Sequence, residues 1–390
     1  MSYPAVVLFI GLILQGGSTV TSAAEPGHFT NPLREGADPW VVRDESAKRW
    51  LWCTAEKAER IVIRTTATLT EAGTEHEIWR TPASGPASGQ VWAPELHFLD
   101  GRWCIYFAAS DGRNETHRAF VLRTDSSDPL GSWTLHGPLA TGGGMDRNSP
   151  PIWAIDMTVL HHGGIRYAVW SGWDTPDSDR QFLYIARMTS PIELTGPRVR
   201  LCRHDDYEWE RTGEGAANRG LNEGPQVLQH DGRTFLIYSC GAAWLPTYKL
   251  GLLELTGRDP LSSEAWRKHP QSVFQSTELT FGVGHSCFVS TGTTATWWHI
   301  YLPNATAHPA GPAPFISSPF DLISQGSLIL ANPSPPAACS PFPLREEASR
   351  DKPAIGVYSS NTGGSYRMPA LVSKFQCLPC PFFSLVFFSQ

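Results

Sequence analysis

The chain has 390 residues, a formal net charge of −6, and 15 Trp, 35 Gly and 32 Pro. That length suffices for one large domain or two ordinary ones, and the lack of a basic stripe excludes nucleic acid as an expected partner. Helix-period apolar patterns are scarce, so many short strands joined by turns are expected.

Residues 5–14 are apolar and lead into Thr21-Ser22-Ala23-Ala24. Ten residues are too few to span a bilayer. The pattern reads as a secretory signal peptide over residues 1–24, cleaved after Ala23 or Ala24. Export fits two glycosylation sequons, Asn114-Glu115-Thr116 and Asn304-Ala305-Thr306. The expectation is a secreted, extracellular monomer with no membrane partner. Of the eight Cys, Cys53, Cys104 and Cys240 lie in apolar runs and read as buried free thiols. Cys377-Leu378-Pro379-Cys380 has zinc-knuckle spacing without a second pair, so no metal site is assigned.

Five stretches then repeat one pattern. They are "ADPWVVRDESAKRWLWCTA" from Ala37, "APELHFLDGRWCIYFAAS" from Ala93, "AIDMTVLHHGGIRYAVWSG" from Ala154, "NEGPQVLQHDGRTFLIYSC" from Asn222 and "GVGHSCFVSTGTTATWWHIY" from Gly282. Each has a polar leading residue, an apolar run, a polar turn and a second, aromatic-rich apolar run. The leading residues are Asp38, Glu95, Asp156, Glu223 and His285, separated by 57, 61, 67 and 62 positions. A period of about 60 residues marks a repeat architecture. Third and fourth strand-like runs follow the first four hairpins, as in "RIVIRTTATL" and "HEIWRTP". Four antiparallel strands per repeat around an axis make a propeller blade. The predicted fold is an all-β, five-bladed β-propeller over residues 25–301. Gly257-Arg258-Asp259-Pro260 reads as a turn.

In a propeller the first strand of each blade lines the axis. Asp38, Glu95, Asp156, Glu223 and His285 are therefore expected to converge on one mouth. Carboxylates pushed together repel and lose solvation, so such a cluster points to function rather than packing. Paired carboxyls suit glycosidic hydrolysis: one donates a proton to the leaving oxygen and the other activates water. Crowding supplies the split, raising one pKa and leaving another low. Trp92 and Trp173 are candidates to stack on sugar faces.

The ordered set "ADPWVVRD", "VWAPELHFLDGRWCIYFAAS", "AIDMTVL", "NEGPQVL" and "GVGHSCFV" resembles glycoside hydrolase family 43. The resemblance implies a five-bladed propeller that hydrolyses arabinose- or xylose-containing glycans with inversion. It matches Asp38 to the general base, Glu223 to the general acid and Asp156 to a third carboxylate that tunes and orients the acid. Trp92, Glu95 and His285 match positions that line the site. No cofactor is implied, although a structural ion at the axis near His285 fits some relatives. Finer motifs, including "IYSCGAAWLPTYKLGLLEL", resemble the exo-acting α-L-arabinofuranosidases that trim arabinan. The expected partner is thus a polysaccharide or oligosaccharide. The alternatives are a β-xylosidase or endo-arabinanase of the same family, or a non-catalytic carbohydrate-binding propeller.

After Tyr301 the chain turns Pro-rich. Proline removes ladder donors, so no interior strand is expected there. Residues 302–390 read as an atypical tail, disordered or a divergent end of the fifth blade. The last blade would then be incomplete, with strand edges exposed and stability reduced.

Overall fold

Apolar runs broken by short polar turns form antiparallel hairpins, and the computed structural model shows them in sequence. It describes residues 33–142, 151–211, 220–276, 282–291, 296–302, 314–320, 323–324 and 327–328. The expected signal peptide, the Asn304 sequon and the Cys377–Cys380 pair lie outside these residues.

A two-residue strand, β1 (Arg34–Glu35), comes first. Four antiparallel sheets follow, each built from four consecutive strands. The first contains β2 (Trp40–Asp44), β3 (Arg49–Glu56), β4 (Arg60–Thr66) and β5 (Thr74–Arg80). The second contains β6 (Gly89–Leu99), β7 (Arg102–Ser110), β8 (Arg118–Thr124) and β9 (Trp133–His136). The third contains β10 (Ala154–His162), β11 (Ile165–Trp173), β12 (Gln181–Ser190) and β13 (Glu193–Cys202). The fourth contains β14 (Asn222–His230), β15 (Arg233–Cys240), β16 (Lys249–Leu255) and β17 (Trp266–Lys268). A further sheet has β18 (Gly284–Thr291), β19 (Thr296–Leu302), β20 (Pro314–Phe320) and then β1. A small hairpin, β21 (Ile323–Ser324) with β22 (Ser327–Leu328), follows.

The core lies between sheets. Trp52, Ile63, Ile105 and Phe120 pack the first sheet on the second, and Cys287 and Ile300 of the last sheet join the same cluster. Tyr106, Met157, Trp170 and Phe182 fill the space between the second and third sheets. Val169, Leu201, Tyr238 and Leu253 join the third and fourth. Phe235, Leu250, Phe274 and Tyr301 join the fourth and the last. Sheets stacked face to face in succession, with the last returning to the first, are a propeller arrangement. Polar ties cross the same boundaries: Trp40 Nε1 donates to the Leu96 carbonyl at 2.7 Å, and Ser171 Oγ donates to the Asn222 carbonyl at 2.8 Å.

The expectation that the Pro-rich run contributes no interior strand does not hold for β20. This strand pairs with β19 through Ile316 to Phe320 and with β1 through Pro314 and Phe315. The two pairings use different residues, so Pro319 faces a partner on one side only. A proline is tolerated where its donor-less nitrogen points to an unpaired side. Cys53, Cys104, Cys202, Cys240 and Cys287 are buried and unbridged, as read for the three singled out. Residues 257–260 form a turn.

One irregularity recurs on the inner strands. Asp38, Ala93, Asp156, Gly224 and His285 all have left-handed backbone, with φ of 53°, 45°, 54°, 53° and 44°. The register slips around four of them, between Trp92 and Glu95, Ile155 and Thr158, Glu223 and Gln226, and Gly284 and Cys287. These are β-bulges, which re-aim side chains and end regular pairing. Non-glycine residues hold this conformation only where their surroundings impose it.

Candidate active site

The bulges set what converges. Asp38, just ahead of β2, leaves 25% of its side chain exposed, and His285 Nδ1 lies 3.1 Å from its Oδ1. Asp156 on β10 is only 3% exposed. Its Oδ2 accepts the Gly224 backbone N–H at 2.9 Å, which ties β10 to β14. Burial, and after it the charge of Asp38, push Asp156 up to about 8, against the pull of that hydrogen bond. Glu223 accepts from Tyr248 O–H at 2.9 Å on Oε1 and from Gln181 Nε2 at 3.2 Å on Oε2. Burial and then the Asp156 charge push Glu223 up to about 7, opposed by Tyr248, His285 and Gln181. Crowded carboxyls in a dry site share protons rather than all ionise. Asp38 is more exposed than Asp156, and Glu223 is placed to hold a proton near neutrality.

Asp38, Asp156, Glu223 and His285 therefore meet as expected from sequence, but Glu95 does not join them at the mouth. The bulge on β6 falls at Ala93, two residues before Glu95. Glu95 lies deeper, 2% exposed, in a row with Trp40, Thr158, Gln226 and Cys287, each two residues past a left-handed position. Glu95 thus sits one step deeper than the mouth position expected from sequence. Trp92 is half-buried and stacked on His117, with ring centroids 3.7 Å apart. Trp173 is 6% exposed and stacks on Trp153 at 5.1 Å. Both tryptophans belong to a small cluster beside Ile155, next to the Asp156 bulge. Among the described residues, no group of three or more His, Cys, Asp or Glu is arranged to hold a metal ion.

Sequence reasoning missed Tyr248, Gln181, Ser239 and Trp153. Tyr248 is buried, and burial together with the Glu223 charge keeps its phenol well above the usual range, hence a donor. Ser239 Oγ accepts the His285 backbone N–H at 2.8 Å, joining the last sheet to the fourth. Trp244, on the same connection as Tyr248, is 61% exposed. A sequence signal existed: "GAAWLPTYK" leaves the mouth end of β15, opposite Glu223.

Gly284 makes room for Tyr248. A Cβ there would stand 2.0 Å from Tyr248 Cε1 and 2.3 Å from its Cδ1. Gly284→Ala is expected to cost about 1–3 kcal/mol of stability through overpacking, and to lower turnover by pulling the phenol off Glu223. Urea unfolding and steady-state kinetics check both; an unchanged variant would show that Tyr248 does not need this space.

A family model described as "Glycosyl hydrolases family 43" matches residues 29–318. The chain is 34% identical over 298 residues to an extracellular exo-alpha-(1->5)-L-arabinofuranosidase of Streptomyces avermitilis, covering 73% of this chain and 59% of that protein. It is also 34% identical over 275 residues to a protein of the same name from Streptomyces chartreusis, covering 68% and 80%. The chain therefore spans less than two thirds of the first relative's length and four fifths of the second's. The structure is similar to an alpha-L-arabinofuranosidase from Lactobacillus brevis, with a TM-score of 0.70 and 30% identity, covering 79% of this chain and 97% of that one. With the match over residues 29–318 running through Asp38, Asp156 and Glu223, the chain belongs to glycosyl hydrolases family 43.

Proposed function

We propose that the protein is an inverting glycosidase that releases terminal α-L-arabinofuranose from arabinan or related plant cell-wall polysaccharide. The observation that carries this reading is the placement of Glu223. It is a half-buried carboxyl pushed up to about 7, beside the partly exposed Asp38 and the buried Asp156. In this reading Glu223 protonates the leaving oxygen and Asp38 takes a proton from the attacking water. Asp156 accepts the Gly224 amide next to Glu223, and the two crowded carboxyls share a proton near neutrality. A water and two carboxyls carry every proton, so no cofactor enters. Trp92 and the exposed Trp244 offer aromatic faces to the sugar. Trp173 supports them through its stack on Trp153.

The choice of arabinofuranose rests on the two relatives named as exo-arabinofuranosidases. Export is part of the proposal; both relatives carry "extracellular" in their names, and residues 5–14 are apolar. So is a ring of five blades, with the sheet of β18, β19, β20 and β1 as the fifth, and a monomeric state.

The test is incubation of the purified chain with debranched arabinan and 4-nitrophenyl α-L-arabinofuranoside, with the first-formed anomer followed by NMR. Arabinose released singly, with the β-anomer appearing first, is the expected result. Arabino-oligosaccharides as first products would move the chain to endo-action, and the α-anomer first would overturn inversion. Release of xylose but not arabinose from nitrophenyl pentosides would overturn the substrate.

A further inference from the structure

Glu95 is a buried carboxyl that the proposed chemistry leaves without a task. Its Oε1 accepts from Gln226 Nε2 at 2.9 Å, and the Thr158 hydroxyl also bonds to the carboxyl. His97 Nε2 lies 3.2 Å from its Oε2. Those partners sit on three inner strands: His97 on β6, Thr158 on β10 and Gln226 on β14. Thr158 is two residues beyond Asp156, and Gln226 is three beyond Glu223. The carboxyl therefore knots together the strands that carry the third carboxylate and the proposed acid, one step below the bulges.

We infer that Glu95 is a positioning residue, whose hydrogen bonds across β6, β10 and β14 set the separation of Asp156 and Glu223 without touching substrate. This rests on the hydrolysis proposed above. The groups facing Glu95 make it an un-ionised tie. Asp156 stands above it, His97 shares its strand, and the thiols of Cys53 on β3 and Cys287 on β18 lie within electrostatic reach. No Lys or Arg is paired with it among the described residues. Burial, followed by the Asp156 charge, pushes Glu95 well above the usual range, and burial holds His97 down at about 3. An acid proton on Oε2 then donates to the neutral His97 Nε2, while Oε1 accepts from Gln226. Every member of the network is satisfied in that protonation state, which suits a polar cluster deep in a core. His97 is in turn held between Trp40 at 4.8 Å and Tyr106 at 5.6 Å. Beyond it opens a cavity of about 410 Å3, lined in part by His97, Gln226 and Gln229.

The test compares Glu95→Ala, Glu95→Gln and Gln226→Ala with the full chain. Glu95→Ala is expected to lower kcat about 10- to 100-fold with little change in KM, the usual consequence of a small misplacement of catalytic groups. Its alkaline pH limb should move down, because a more distant Asp156 raises Glu223 less. Glu95→Gln keeps an acceptor for Gln226 and a donor for His97, and should recover most of kcat and the pH profile. Gln226→Ala should shift both in the same direction as Glu95→Ala. If Glu95→Gln is as inactive as Glu95→Ala, or Gln226→Ala leaves kcat and the limb alone, the positioning role is overturned. An infrared difference spectrum at pH 9, wild type minus Glu95→Gln, reads the carboxylic-acid C=O stretch without any substrate. Its absence would overturn the neutral tie even if the sugar assignment stood. Failure of the wild type to release arabinose would overturn the proposed function and leave that spectrum intact.

Discussion

Glu223→Gln is expected to lower kcat on arabinan by about 10^2- to 10^4-fold, the range for a lost general acid. Hydrolysis of 4-nitrophenyl α-L-arabinofuranoside should fall much less, because nitrophenolate leaves without a proton. The sign of the pH effect follows from which form works. Glu223 must be protonated, and burial with the Asp156 charge places its proton loss at about 7. Wild-type kcat/KM should therefore fall as pH rises through about 7, and that limb should vanish from the variant acting on the nitrophenyl substrate. A glutamine still accepts from Tyr248 O–H, so the fold should survive, and the loss reports chemistry. Equal losses on the two substrates would remove Glu223 from the acid role.

Asp38→Asn should cost a comparable amount, about 10^2- to 10^4-fold for a lost general base, but on both substrates alike. Water activation is needed whatever the leaving group. The substitution is clean on backbone grounds: Asp38 has a φ of 53°, and Asn tolerates left-handed backbone as well as Asp does. Thermal unfolding should thus change little. The Asp38 charge also helps push Asp156 up, so its loss should let Asp156 ionise at lower pH. Rate measurements with both substrates across pH check the assignment. A variant that lost activity on arabinan but kept it on the nitrophenyl substrate would show Asp38 acting on the leaving group.

Much of the site was legible because it is written in local order. Asp38, Asp156, Glu223 and His285 each open an inner strand, and the repeat brings them to one end of the axis. Glu95 was misplaced because the repeats were aligned on charge. The better column was the left-handed residue, followed by proline in three repeats: Pro39, Pro94 and Pro225 follow Asp38, Ala93 and Gly224. Alignment on that column places Glu95 with Trp40, Thr158, Gln226 and Cys287. Tyr248 and Gln181 had no such mark. They lie 25 and 42 residues from Glu223 and reach it only through the pairing of β14 with β15 and the close approach of the third sheet.

By itself the sequence determined the period, the hairpins of the first four sheets and the polar residue near the head of each inner strand. Alternation and turn chemistry act over a few residues, and a chain expresses them wherever it lies. Tertiary structure alone decided which carboxyl faces the mouth and which is buried beneath it, since a one-residue bulge turns a strand's side chains over. It alone decided that β20 finds a place beside β19 and β1, because pairing across some 280 residues depends on the ring that brings the ends together.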